Sequence, residues 1–119
     1  MRKTVTFILL AMLLVSCNVT ENIPFVQSGD GFYINFNDLS ASDEHRMELK
    51  NGDSLAVAAE IENGSMHLAI TSPSGEKPYA GNLTEKNFTV NVHEDGTYLF
   101  YVKVSRLTGK LEVRKIKEE

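Results

Sequence analysis

From residue 31 onward, apolar residues recur at every second position. Phe32, Ile34 and Phe36 alternate with Tyr33 and Asn35. Leu55, Val57, Ala59 and Ile61 form a second row, and Met66, Leu68 and Ile70 a third. Phe88, Val90 and Val92 make a fourth, and Tyr98, Phe100, Val102 and Val104 the longest. A strand sends successive side chains to opposite faces, so each row is one buried face with a polar face behind it. After residue 30 no segment sustains the 3.6 period of a helix. Residues 40–47, SASDEHRM, could close at most one helical turn, with Ser40 or Ser42 as its cap.

The rows are separated by turn chemistry. Asn63-Gly64 predicts a tight hairpin, because both residues tolerate positive φ. SPSG at 72–75, EDG at 94–96 and Thr108-Gly109 predict further turns. Met47 with Leu49 marks a short strand, Tyr79 starts another, and Leu111 with Val113 ends the series. The total is seven or eight short strands. That spacing predicts an all-β fold, a small antiparallel β-sandwich. Its central strands are expected to include 55–61 and 99–104.

The chain ahead of the sandwich has a different character. Arg2 and Lys3 precede an apolar run over 5–15. That length suits a signal peptide and falls short of the roughly 20 residues of a spanning helix. Cys17, the only cysteine, stands where the run ends. Leu14-Val15-Ser16-Cys17 resembles the lipobox of bacterial lipoproteins. The resemblance implies cleavage between Ser16 and Cys17, a diacylglycerol on the Cys17 thiol, and acylation of the new amino terminus. Two or more acyl chains hold a protein on a bilayer stably where one does not. The implied location is extracytoplasmic and membrane-anchored. Asn18, rather than Asp, follows the cysteine, which implies the outer membrane in a host that has two.

The expected organisation is a signal peptide over 1–16, a lipidated cysteine and tether over 17–30, and the sandwich over 31–119. Ile23, Phe25 and Val26 are the tether's candidate docking points. With no second cysteine there is no disulfide, and the domain must stand on its own core.

Two further resemblances concern the domain. Glu94-Asp95-Gly96-Thr97-Tyr98 resembles the tyrosine corner of immunoglobulin-like sandwiches, where the hydroxyl bonds back to nearby backbone. The alternative is that Tyr98 is simply the first core residue after a glycine turn. The succession LKNGDSLAVAAEI, NGSMHLAITSPSG, FTVNVHEDGTYLFYV, GKLEV is similar to GOLD-type domains and to bacterial pre-peptidase C-terminal domains. It implies a non-catalytic binding or packing module; fold likeness alone does not license more.

Residues that carry chemistry are sparse. His45, His67 and His93 stand at no metal-ligand spacing, and no G-x-S-x-G occurs. Glu60 and Glu62 read as the outward face of a half-buried strand, and Asp43/Glu44 and Glu94/Asp95 as turn residues. Asp30, Asp38, Asp43 and Asp53 lie in loops, without the spacing of a calcium loop. The expectation is no enzyme, no cofactor and no metal.

Twelve Lys/Arg stand against sixteen Asp/Glu, for a net charge of −4. An exported acidic chain is a poor nucleic-acid binder. The basic residues gather late, at Lys103, Arg106, Lys110, Arg114, Lys115 and Lys117. They could meet anionic lipid heads or pair across strands with acids such as Glu60 and Glu62.

The expected function is a small binding or scaffolding module, held at the membrane by its lipid, with an envelope protein or glycan as partner. Two alternatives stand beside it. An inhibitor would block an attacking hydrolase with an exposed, rigid loop, and 72–78 is the candidate. A carbohydrate-binding module would need Tyr101, Tyr33 and Tyr79 gathered on one outer face.

Overall fold

The structure is a computed structural model that describes residues 23–84 and 86–116. Six strands make up the regular structure among them. These are β1 (Val26–Ser28), β2 (Gly31–Leu49), β3 (Ser54–Thr71), β4 (Tyr79–Leu83), β5 (Lys86–Asn91) and β6 (Gly96–Ile116). All pairings are antiparallel.

β2, β3 and β6 run for 19, 18 and 21 residues. A usual strand has about five or six. Each of the three bends near its middle and serves two layers. The ladder between β2 and β6 slips between Phe36 and Ala41, and that between β3 and β6 slips between Ile61 and Ser65. Before and after these slips the same three strands pair with one another.

The first layer has the order β5, β3 (54–61), β6 (109–116), β2 (31–36), β1. The second has β4, β3 (66–71), β6 (96–104), β2 (41–49). Phe32 of the first layer meets Phe100 of the second edge-on, with ring centroids 5.4 Å apart. The inward rows of both layers form one buried core, in which Leu55, Leu68, Phe100, Val102 and Leu111 have no exposed surface. Both segments expected to be central, 55–61 and 99–104, are flanked by a strand on each side.

The bends correct two expectations. Asn63-Gly64 does not reverse the chain, and neither does Thr108-Gly109; each pair lies within a continuous strand. Gly64 takes the expected positive φ, 88°. A Cβ there would stand 2.2 Å from the Arg106 carbonyl oxygen, and one on Gly109 would stand 2.1 Å from that of Glu60. β3 and β6 approach so closely at the bend that only glycine fits. The hairpin rule reads tolerance of φ at two residues. What decides the path is that the rows on both sides of Gly64 must face one core while keeping the same neighbour.

Residues 40–47 form no helical turn. They are strand, paired residue by residue with β6, with Ala41, Met47 and Leu49 turned inward. Long cross-strand pairing outweighs a cap signal with no apolar helical stripe behind it.

The two open sides of the sandwich are closed differently. On one, the chain ahead of β1 crosses between the layers. Ile23 is buried, and its N–H donates to Asp43 Oδ2 at 3.2 Å. The Phe25 ring stacks on His45 at 5.0 Å and meets Phe32 edge-on at 5.4 Å. Ile23 and Phe25, two of the three candidate docking points of the tether, thus pack against the domain. On the other side the Tyr79 ring stacks on Phe88 at 4.7 Å.

Candidate functional site

At the end of the sandwich away from the bends, three connections meet: 50–53, 72–78 and 92–95. The 72–78 loop leaves β3 where pairing stops at Thr71. Ser72 is buried, and residues 73–78 are all exposed. Gly75 takes φ 97°, which lets the loop fold back. The Gly75 N–H donates to the Ser72 carbonyl at 2.9 Å, and the Ser72 N–H donates to the Glu76 carbonyl at 2.7 Å. The Glu76 N–H donates to Ser72 Oγ at 3.2 Å. One small side chain therefore closes the loop from inside.

The loop is also held from outside. Glu94 Oε2 accepts from Ser74 Oγ at 2.5 Å and from Ser72 Oγ at 2.9 Å. The hydroxyl of Ser74, then that of Ser72, keeps the Glu94 carboxyl below its ordinary pKa. Glu94 is fixed in turn by Tyr98, whose hydroxyl donates to the Glu94 carbonyl at 2.9 Å and accepts from the Glu94 N–H at 3.3 Å. Of the two readings of Tyr98, the tyrosine corner is the one the structure contains. Burial raises the Tyr98 pKa and keeps the phenol protonated as a donor. The Pro73 ring lies against Gly96, where an added Cβ would come within 2.6 Å of it. The Asn51 N–H donates to Asp95 Oδ1 at 2.8 Å and ties in the third connection.

The chemistry of this cluster is that of positioning. Both serine hydroxyls donate to a carboxylate. A carboxylate with a lowered pKa is a poor general base near neutral pH. The outcome is a firm, exposed loop that turns at 73–75 and carries Glu76 and Lys77 on its return towards β4. Beside it is a recess of about 110 Å³ lined by Ser72, Lys77, Pro78, His93 and Tyr98.

The three candidate tyrosines are not brought together. Tyr33 lies on the outer face of the first layer, 37% exposed. Tyr101 is half-buried on the outer face of the second, opposite Glu44 and Ala69 and beside a depression shared with His67 and Lys103. Tyr79 is at the side, against Phe88. They form no single aromatic platform. Cys17 lies outside the described residues.

His67 bonds Asn82 at 3.0 Å on the outer face of the second layer, while His93 lies in the connection after β5. His45, for which the sequence offered no role, faces inward. Burial lowers its pKa, partly offset by Asp43, and its Nε2 lies 3.1 Å from Gln27 Oε1. Among the described residues no group of three or more His, Cys, Asp or Glu could hold a metal ion. The late basic residues do pair across strands in two cases, Arg106 with Asp38 at 2.8 Å and Lys110 with Glu60 at 4.0 Å.

Sequence reasoning chose the loop and missed Glu94 as its clasp. The signal was available: a tyrosine corner places residue 94 against the hydroxyl of Tyr98.

No protein-family model matches the chain, and no curated protein sequence matches it. Among solved structures, the chain is similar to Aeromonas hydrophila PliG, a periplasmic lysozyme inhibitor of g-type lysozyme. Identity is 15%, the match covers 80% of this chain and 96% of that one, and the TM-score is 0.51. It is also similar to a CBM4 structure, at 14% identity over 77% of this chain and 75% of that one, with a TM-score of 0.40. At such identities the likeness to PliG is one of fold.

Proposed function

We propose that this chain is an exported, lipid-anchored inhibitor that blocks a muramidase of the lysozyme class by placing the 72–78 loop in its cleft. The observation that carries the reading is the loop itself, exposed over 73–78 and ordered before any partner arrives by Ser72, Glu94 and Tyr98. A loop fixed in advance loses little entropy on binding, which is how a small contact becomes a tight one. Glycoside hydrolases work with a pair of carboxyl groups in an open cleft. Lys77, exposed just past the closed turn, gives the loop a cation for such a pair. The inhibitor among the solved structures of this fold supports the choice of target class. The lipobox resemblance at Cys17 supports the anchor.

Inhibition of cell-wall lysis by a panel of lysozyme classes, g-type included, tests the reading. The wild type should inhibit at least one class. Lys77→Glu should weaken that inhibition by about 10-fold or more, the cost of losing a central interface charge. No inhibition of any class by excess protein rejects the proposal. Intact-mass analysis of the membrane fraction tests the anchor separately: an unmodified Cys17 rejects it.

A further inference from the structure

The outer face of the first layer holds a feature with no part in the loop. β3 is central there, and its outward residues include Ala56 and Ala58. Alanine is depleted in strands, and a solvent-facing central position usually carries a longer side chain. Two in succession leave a trough. Two depressions of about 250 and 330 Å³ lie along it and share Ala58, Asn87 and Glu112. With strands about 4.8 Å apart, the trough is about 10 Å from wall to wall.

One row across the trough has a distinctive order. Asn87 of β5 lies opposite Ala58, Ala58 opposite Glu112 of β6, and Glu112 opposite Tyr33 of β2. A carboxamide, a methyl floor, a carboxylate and an aromatic ring thus stand side by side. The charges of the face cancel within it, Lys110 against Glu60 and Arg114 against Glu112 at 3.4 Å. Exposed pairs of this kind are weak, so their groups can exchange partners.

We propose that this row binds an N-acetylated glycan strand lying across the sheet, from β5 towards β2. An acetamido group needs three things at once, and the row supplies them. Its methyl rests on Ala58, its N–H donates to the Glu112 carboxylate, and its carbonyl accepts from the Asn87 amide. The adjoining pyranose ring lies on Tyr33, the one aromatic ring of this face with large exposure among the described residues. The balance of charge fits an uncharged chain and gives a polyanion no advantage. The site is independent of the loop and of the inhibitor reading.

Titration of the purified full-length protein with the β-1,4-linked tetramer of N-acetylglucosamine, followed by NMR, tests the proposal. Saturable shifts are expected at Asn87, Ala58 and Tyr33. The matching glucose tetramer, which lacks the acetamido group, should bind at least 10-fold more weakly. Ala58→Lys, which fills the trough, should abolish binding; Tyr33→Ala and Asn87→Ala should each weaken it several-fold in protein with unchanged thermal unfolding. Lys77→Glu should leave it intact, so that failure of the glycan site and failure of the inhibitor reading are separate results. Absence of saturable shifts at millimolar tetramer, equal binding of both tetramers, or binding unaffected by Ala58→Lys overturns the proposal.

Discussion

The two ends of the sandwich are built by different means. At the bent end close backbone approach sets the path, and the Ser40 and Thr108 hydroxyls and the Asp38–Arg106 pair add ties around it. Gly64 lies under the Arg106 carbonyl and Gly109 under that of Glu60, with no room for a Cβ. Asp38 and Arg106 accept positive φ of 51° and 48° to turn the corner. At the loop end, side chains do the holding: Ser72, Ser74, Glu94 and Tyr98 tie exposed backbone to the sheet. Close backbone contact leaves no surface to vary. Side-chain ties leave the exposed side chains of Glu76 and Lys77 to carry recognition chemistry over a fixed base. On the proposed reading the bent end is the scaffold and the loop end the working surface.

Substitutions at the two ends should differ most in global stability. Gly109→Val drives a side chain into the Glu60 carbonyl and should cost about 3 kcal/mol or more in urea unfolding. A cost below about 1 kcal/mol would show that the bend yields easily and would undo the contrast. Tyr98→Phe removes a buried hydroxyl that both donates and accepts. It should cost about 1–2 kcal/mol and also speed amide exchange over 74–77, which Gly109→Val in its folded fraction should not do.

Acid should act at the side and the loop rather than at the bend. His45 titrates below its ordinary value of 6.5 in the folded state, because burial disfavours the imidazolium. The unfolded chain therefore binds the proton more readily. Stability should fall as pH drops through about 6.5 and level off below the folded pKa. His45→Gln should flatten that slope in thermal unfolding.

Asp38→Ala breaks an exposed ion pair with Arg106, 2.8 Å long, and should cost under about 1 kcal/mol. The smallest effect is local. Glu94 has a lowered pKa, so its clasp is complete above the ordinary carboxylate value of 4.5 and is lost as pH falls through the folded one. Exchange at Gly75 and Glu76 should quicken there before the core responds, and Glu94→Gln should remove the step.

Much of the fold was legible because period two is a local property that tertiary structure does not override. The rows at 55–61, 66–70 and 98–104 are the buried faces observed. The bends were not legible, because Asn63-Gly64 serves a hairpin and a crossing equally well. The choice rests on β6, which lies some forty residues away in sequence. The loop at 72–78 could be read from its Pro and Gly, and Tyr98 from its motif. The trough could not, since Ala56 and Ala58 mean nothing until Asn87 and Glu112 are known to flank them.

The central claim is that the 72–78 loop meets the partner, and its most direct measurement is amide hydrogen exchange with and without a saturating muramidase. Protection should concentrate at 74–77 and at 95–97, with the outer faces of both layers unchanged. Protection confined to either outer face, or a complex that leaves residues 74–77 exchanging at their free rate, would contradict it.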